Sequence, residues 1–187
     1  MKRQLILSLF VFAPVIPVMA QGYARQREIM VQEQLANRGI SSKAVLDAMR
    51  IVERHRFVPP SQVALAYQDR PLPIGEGQTI SQPYIVAFMT ETLKLEPTDI
   101  VLEVGTGSGY QAAILGKLCR EVYTVEIIQS LGQRSDSLLK VLGYSNIHVR
   151  VGDGYAGWPE SAPFDAIIVT CSPSHVPPPL QEQLKEG

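Results

Sequence analysis

Val101-Leu-Glu-Val-Gly105-Thr-Gly107-Ser-Gly109-Tyr-Gln-Ala-Ala113 is the stretch that decides the fold of this 187-residue chain. The apolar run Ile100, Val101, Leu102 and Val104 fits a parallel strand covered on both faces. Three alternating glycines follow. They let the backbone turn sharply and approach a ligand with no Cβ in the way. The small residues behind them start a helix, whose free N–H groups would point at that ligand. The stretch reads as a ligand cradle; the alternative is a tight strand–helix turn that holds nothing.

The spacing says which ligand. A dinucleotide fingerprint places its glycines at G-x-G-x-x-G. Here Gly109 comes one residue early, Tyr110 stands where the last glycine would be, and Glu103 sits in the strand before the turn. The pattern E-x-G-x-G-x-G resembles motif I of the class I S-adenosylmethionine-dependent methyltransferases. Their cofactor, a nucleoside carrying an amino acid and a sulfonium, has no pyrophosphate to hold. Gly105, Gly107 and Gly109 are expected to let the backbone approach it, and the Glu103 carboxylate to favour its cationic end.

Working outward, Glu121-Val-Tyr-Thr-Val-Glu126 reads as a second buried strand ending in an acid. In doubly wound sheets an acid about twenty residues past the glycines holds the ribose hydroxyls. Glu126 is the candidate, with a solvated strand end as the alternative. A third strand, Ile147–Val151, runs into Gly152-Asp153-Gly154. Asp153 would accept a hydrogen bond from an adenine amino group beside Gly154, or else is a turn aspartate. A fourth strand covers Phe164–Thr170. Helical patterns run from Tyr110 to Leu118 and from Gln129 to Leu142, the latter capped by Gly143. The alternation predicts an α/β fold: a doubly wound, mostly parallel, Rossmann-like methyltransferase sheet with helices on both faces.

Upstream, Leu72-Pro-Ile-Gly75-Glu-Gly-Gln78-Thr-Ile-Ser81-Gln-Pro83 runs into the apolar helical pattern Tyr84–Met89. Its serine and threonine amid glycines and prolines suggest a loop that displays hydroxyls and backbone amides. The segment closely resembles the signature loop of the protein-L-isoaspartate (D-aspartate) O-methyltransferases. Other matches follow in order: Arg25–Phe57 with its Arg54-x-x-Phe-Val58 ending, the glycine motif, Glu126, Gly152-Asp-Gly-Tyr-Ala-Gly-Trp-Pro, and Ala162-Pro-Phe-Asp-Ala-Ile-Ile-Val-Thr170. The resemblance covers about residues 25–187.

It implies methyl transfer from S-adenosylmethionine to the free α-carboxylate of isoaspartyl, and D-aspartyl, residues in damaged proteins and peptides. That carboxylate is already ionised at neutral pH, so no general base is required. By resemblance Ser81 is the catalytic serine, donating a hydrogen bond to the acceptor; the alternative is a loop-capping serine. Gln78, Thr79 and Ile80 would line the cofactor with their backbone. His55, His148 and His175 show neither metal-ligand spacing nor a serine partner, so no metal is expected. Two rival readings stay open: a methyltransferase for RNA or small molecules, and an S-adenosylmethionine-binding fragment without turnover.

The first twenty residues differ in kind. Lys2-Arg3 precede an apolar run, Leu5–Ala20, that ends Val18-Met19-Ala20. That is a charged n-region, an h-region and a small-residue cleavage site. Pro14 and Pro17 break it, and it is short for a membrane span. We expect residues 1–20 to be a signal peptide cut before Gln21, giving a periplasmic protein without stable membrane association. The alternatives are an uncleaved anchor, or a cytoplasmic protein started later, for example at Met30.

The composition is near neutral, with 17 Lys and Arg against 18 Asp and Glu. Without Lys2 and Arg3 it is 15 against 18, which argues against a nucleic-acid partner. Cys119 and Cys171 form no disulfide framework and read as buried thiols. The length fits one domain, residues 21–187, expected to act as a monomer. Only four strands are legible before Gly187, so the family's C-terminal strands are expected to be missing.

Overall fold

The computed structural model describes residues 18–171 and 175–186. Residues 1–17, which hold most of the expected signal peptide, therefore lie outside the described residues. Among those described, no helix is long and apolar enough to cross a membrane.

Helix α1 (Val18–Ile29) continues through a wider π-type turn at Met30–Leu35 into a short turn at Ala36–Arg38. Helix α2 (Lys43–Ile51) starts where the Ser42 hydroxyl accepts from the Val45 N–H at 3.4 Å. Val45, Ala48 and Met49 form its buried face. After the 54–65 turns comes a hairpin, β1 (Leu72–Gly75) and β2 (Gln78–Ile80), and then helix α3 (Pro83–Thr92). Pro83 opens α3 at a position where the missing N–H is no loss.

The hairpin corrects the loop expected over residues 72–83. Glu76 and Gly77 both have positive φ, which is what a two-residue turn needs to match strand twist. Leu72 and Ile74 alternate inward. The hairpin pairs with no strand of the main sheet. It is strapped to the body instead: Arg134 Nη2 donates to the Ile74 carbonyl at 2.6 Å, and Ser130 Oγ to Glu76 at 2.9 Å.

The main sheet consists of β3 (Ile100–Val104), β4 (Glu121–Glu126), β5 (Ile147–Val151) and β6 (Ala166–Val169). The order is β5-β4-β3-β6 and every pairing is parallel. The chain builds to one side of β3, then returns to add β6 on the other. The strand order therefore reverses at β3, and a crevice opens at its carboxyl end. Helices α4 (Tyr110–Leu115) and α5 (Gln129–Val141) join the strands. Gly143 ends α5 in a left-handed conformation (φ +80°). Its N–H bonds Lys140, and the Tyr144 N–H bonds Leu139, both at 3.1 Å.

One sheet face packs on α1 to α5 through the larger core, with Val101, Val122 and Ile168 at its base. The other carries a smaller cluster, Leu102, Val104, Val125, Phe164 and Leu180, covered by the five-residue helix α6 (Pro178–Glu182) and short turns. β6 is shorter than the expected 164–170. Asp165 still bonds β3, its N–H donating to the Ile100 carbonyl at 2.9 Å, but Phe164 pairs with Leu184 instead.

Candidate active site

The crevice at the strand ends is a cleft. Its walls include Gln78–Ser81 from the hairpin, Val104–Ser108 from the glycine turn, Val125–Ile128 after β4, and Asp153–Tyr155 after β5. Thr170 and Cys171 close it from β6.

The glycine turn is fixed from three sides. Gly105 N–H and Thr106 N–H donate to the Val125 carbonyl at 2.8 and 3.3 Å. Ser135 Oγ from α5 donates to the Gly107 carbonyl at 2.6 Å, and Thr170 Oγ1 to the Gly105 carbonyl at 2.7 Å. Gly105 lies at φ +105°, and a Cβ there would come within 2.5 Å of Thr170 Oγ1.

Glu126 is buried at the end of β4. Its Oε2 accepts from the Gly107 N–H at 2.7 Å and its Oε1 from the Ile128 N–H at 2.9 Å. It thus clamps the turn to the next strand. Each carboxylate oxygen keeps a second lone pair, so capacity remains for a diol. Asp153 shares the wall, but its Oδ1 accepts from the Tyr155 N–H at 2.9 Å, so it also caps its own turn. Gly154 fits there because a Cβ would lie 2.5 Å from Val104 Cγ1.

Two expected ligand contacts are placed elsewhere. Gly109 does not line the cleft. It starts α4 at φ +81°, and a Cβ there would press on Leu139 of α5 at 3.3 Å. Glu103 does not line it either, and it is wholly buried. It sits next to last in β3, on the face it shares with Val101, and that face is covered by the larger core. Thr124 donates to its Oε2 at 2.7 Å, leaving Thr124 to accept from Thr106, also at 2.7 Å. Its Oε1 has no partner and is the place for a proton. Burial pushes its carboxyl up to about 8, against the pull of the Thr124 hydrogen bond, and the nearby Glu126 charge adds to the rise. It is a neutral core acid at pH 7, not a carboxylate facing a cation.

A pH signature follows. In the unfolded chain Glu103 ionises near its ordinary value of about 4.3. Between there and about pH 8 the unfolded state gives up a proton that the folded state keeps. Stability therefore falls as pH rises through that window, by on the order of 1 kcal/mol per pH unit, and is fully present below it. Glu103→Gln, which imitates the protonated acid, removes this slope. Urea melts of both forms across the window check this; a stability difference that does not change with pH overturns it.

Two further placements matter. Cys171, expected buried, is exposed at the cleft, whereas Cys119 is buried. Arg54, known to the sequence reading only as part of a motif, is fully buried behind Ser81. Its Nη2 donates to the Ser81 carbonyl at 2.7 Å and its Nε to the Ala66 carbonyl at 2.8 Å. Its guanidinium lies 4.8 Å from the centre of the Tyr110 ring, another cleft residue. Among the described residues no group of three His, Cys, Asp or Glu side chains is placed to hold a metal.

A parallel sheet with its switch point at β3, a glycine turn clamped by an acid at the end of β4, and no phosphate-binding third glycine define an S-adenosylmethionine-dependent methyltransferase. The protein-L-isoaspartate(D-aspartate) O-methyltransferase family profile matches residues 25–187. The chain is 55% identical over 185 residues to a protein-L-isoaspartate O-methyltransferase of Opitutus terrae, covering 97% of this chain and 79% of that one. A solved protein-L-isoaspartate O-methyltransferase superposes with a TM-score of 0.80 at 32% identity, over 86% of this chain and 53% of that chain. A Plasmodium falciparum structure described as such an enzyme in complex with S-adenosyl-L-homocysteine gives 0.74 at 27% identity, over 86% and 80%. The chain belongs to the protein-L-isoaspartate (D-aspartate) O-methyltransferase family.

Proposed function

We propose that the protein methylates the free α-carboxylate of L-isoaspartyl and D-aspartyl residues in damaged proteins, the first step of their repair. The observation that carries this reading is the position of Ser81. The hairpin brings it to the same cleft as the glycine turn and Glu126. A neutral hydroxyl there suits an acceptor that arrives already charged and needs orientation rather than deprotonation.

The residues fit the cofactor. Gly107 presents backbone to the cleft with no side chain of its own, Gly105 and Gly154 line it with their missing Cβ atoms making room for Thr170 and Val104, Glu126 offers lone pairs to the ribose hydroxyls, and Asp153 stands on the wall for the adenine side. Gln78, Thr79 and Ile80 would close over it from the hairpin. When bound, S-adenosylmethionine supplies an electrophilic methyl group on a good leaving sulfur. The chain's own task is to hold a carboxylate oxygen in line with that methyl and to keep water out, and positioning of this kind supplies several kcal/mol of a barrier. Ser81 donates a hydrogen bond to one carboxylate oxygen and so aims the other. Ile85, Met89 and Ile127 supply apolar walls around them.

The test is incubation of the full chain with methyl-labelled cofactor and an isoaspartyl peptide. Base-labile label in that peptide, absent from the aspartyl control, supports the reading; label only in RNA sinks it. Ser81→Ala should lower turnover by about 10-fold, the loss of one hydrogen bond to a charged group, while cofactor affinity stays nearly intact. If affinity collapses and turnover per bound cofactor does not change, Ser81 has another role.

We also propose that the protein is exported and cleaved before Gln21. This rests on the Lys2-Arg3 n-region, the apolar run and the Val18-Met19-Ala20 ending. Mass spectrometry of the native N-terminus in fractionated cells should find Gln21 in the periplasm. An intact Met1 in the cytosol rules this out.

A further inference from the structure

Arg54 is among the largest fully buried side chains of the described residues and carries a charge. Burying a guanidinium costs several kcal/mol unless its donors are met. Among the described residues no carboxylate forms an ion pair with it. Its partners are two main-chain carbonyls, those of Ala66 and Ser81, and the face of Tyr110. Nη1 makes no hydrogen bond of ordinary geometry, and the Tyr110 side chain beside the guanidinium is what offsets part of its burial. For stability alone an apolar side chain of similar size would serve better. What the guanidinium does that an apolar group cannot is bond two carbonyls twelve and twenty-seven residues away in the chain and hold them at fixed spacing.

The placement of those carbonyls gives the reason. Ser81 lies just after the hairpin, which is paired with nothing in the main sheet. Tyr110 is the first residue of the helix that leaves the glycine turn. Arg54 therefore spans from the main chain of the acceptor-side residue to the first side chain behind the cofactor-side turn. Resting on the function proposed above, we infer that Arg54 is a positioning residue: it fixes the Ser81 main chain relative to Tyr110, and so sets where the Ser81 hydroxyl meets the acceptor carboxylate. Arg54 itself does not line the cleft.

The inference is tested by a double-mutant cycle in the full chain. Arg54→Lys keeps the charge but, lacking the planar fork, cannot reach both carbonyls. It should lower kcat/KM for an isoaspartyl peptide about 10-fold or more, with the Kd for S-adenosylhomocysteine within about 2-fold of the parent. In a Ser81→Ala background the same substitution should cost less than about 2-fold, since the hydroxyl that it places is gone. A full and additive loss in that background overturns the inference, as does a Kd that rises in step with the lost activity. If Arg54→Lys does not fold, Arg54→Gln, which retains a planar amide donor, carries the same cycle. If neither variant binds S-adenosylhomocysteine, Arg54 holds the domain as a whole and a positioning role is overturned. A parent chain that binds S-adenosylhomocysteine but leaves the isoaspartyl peptide unmethylated defeats the proposed function first, and the role of Arg54 with it.

Discussion

Glu126→Ala is expected to weaken cofactor binding by about 1–3 kcal/mol, a roughly 5- to 150-fold rise in Kd. Two losses combine. The ribose hydroxyls lose an acceptor in a buried wall. The protein also loses its own clamp, because Gly107 N–H and Ile128 N–H both donate to this carboxylate. A turn freed from β4 must be reordered when the cofactor binds, and that cost appears in the affinity. Calorimetric titration with S-adenosylhomocysteine measures it directly. Glu126→Gln, which keeps one acceptor oxygen, should fall between parent and alanine. Unchanged affinity in the alanine variant would make Glu126 an ordinary strand end.

Gly105→Ala should cost folding stability on the order of 2–5 kcal/mol. Left-handed backbone costs an alanine roughly 1–2 kcal/mol, and overpacking of a close contact adds roughly 1–3. The contact is severe: the new Cβ would lie 2.5 Å from Thr170 Oγ1, at a hydroxyl already engaged with the Val104 and Gly105 carbonyls. For a domain of this size the melting temperature should drop by roughly 4–20 °C. Thr170→Ser, which frees a methyl but keeps the hydroxyl, should not rescue it, because the clash is with the oxygen. Thermal melts of the three variants decide the matter; a melting temperature within about 2 °C of the parent would mean that the turn tolerates a side chain.

The sheet was legible in the sequence because its central strand β3 is buried on both faces and reads as an apolar run, while β4 and β5 are short β-branched and aromatic stretches that end at an acid or a Gly-Asp-Gly turn. β3, β4 and β5 begin and end where their residues say. The hairpin was not. Its turn is Glu76-Gly77 rather than one of the Asn-Gly or Asp-Gly pairs that announce a primed turn, and Pro73 interrupts its first strand. Glu103 misled for a different reason. Sequence spacing puts it one residue before the strand's end, and only the larger core packed over its face of β3 shows that its side chain is buried. Arg54 left no signal of its role. Nothing near it in the sequence marks a guanidinium whose partners lie at Ala66 and Ser81, since those contacts exist only after the chain has folded back.

The independence of the hairpin from the main sheet makes acceptor choice a portable property. On the function proposed above, most of the nucleoside seat would come from the sheet's own strand ends, while the acceptor side belongs to a short excursion tied down by Arg134, Ser130 and Arg54. Exchanging residues 72–82 between relatives that preserve those three anchors and share Gln78, Thr79 and Ile80 would transplant a preference for the peptide around the damaged residue while keeping the backbone that closes over the methyl donor. In such chimaeras peptide preference should travel with the graft, and donor affinity should stay with the host only where those three residues are the same.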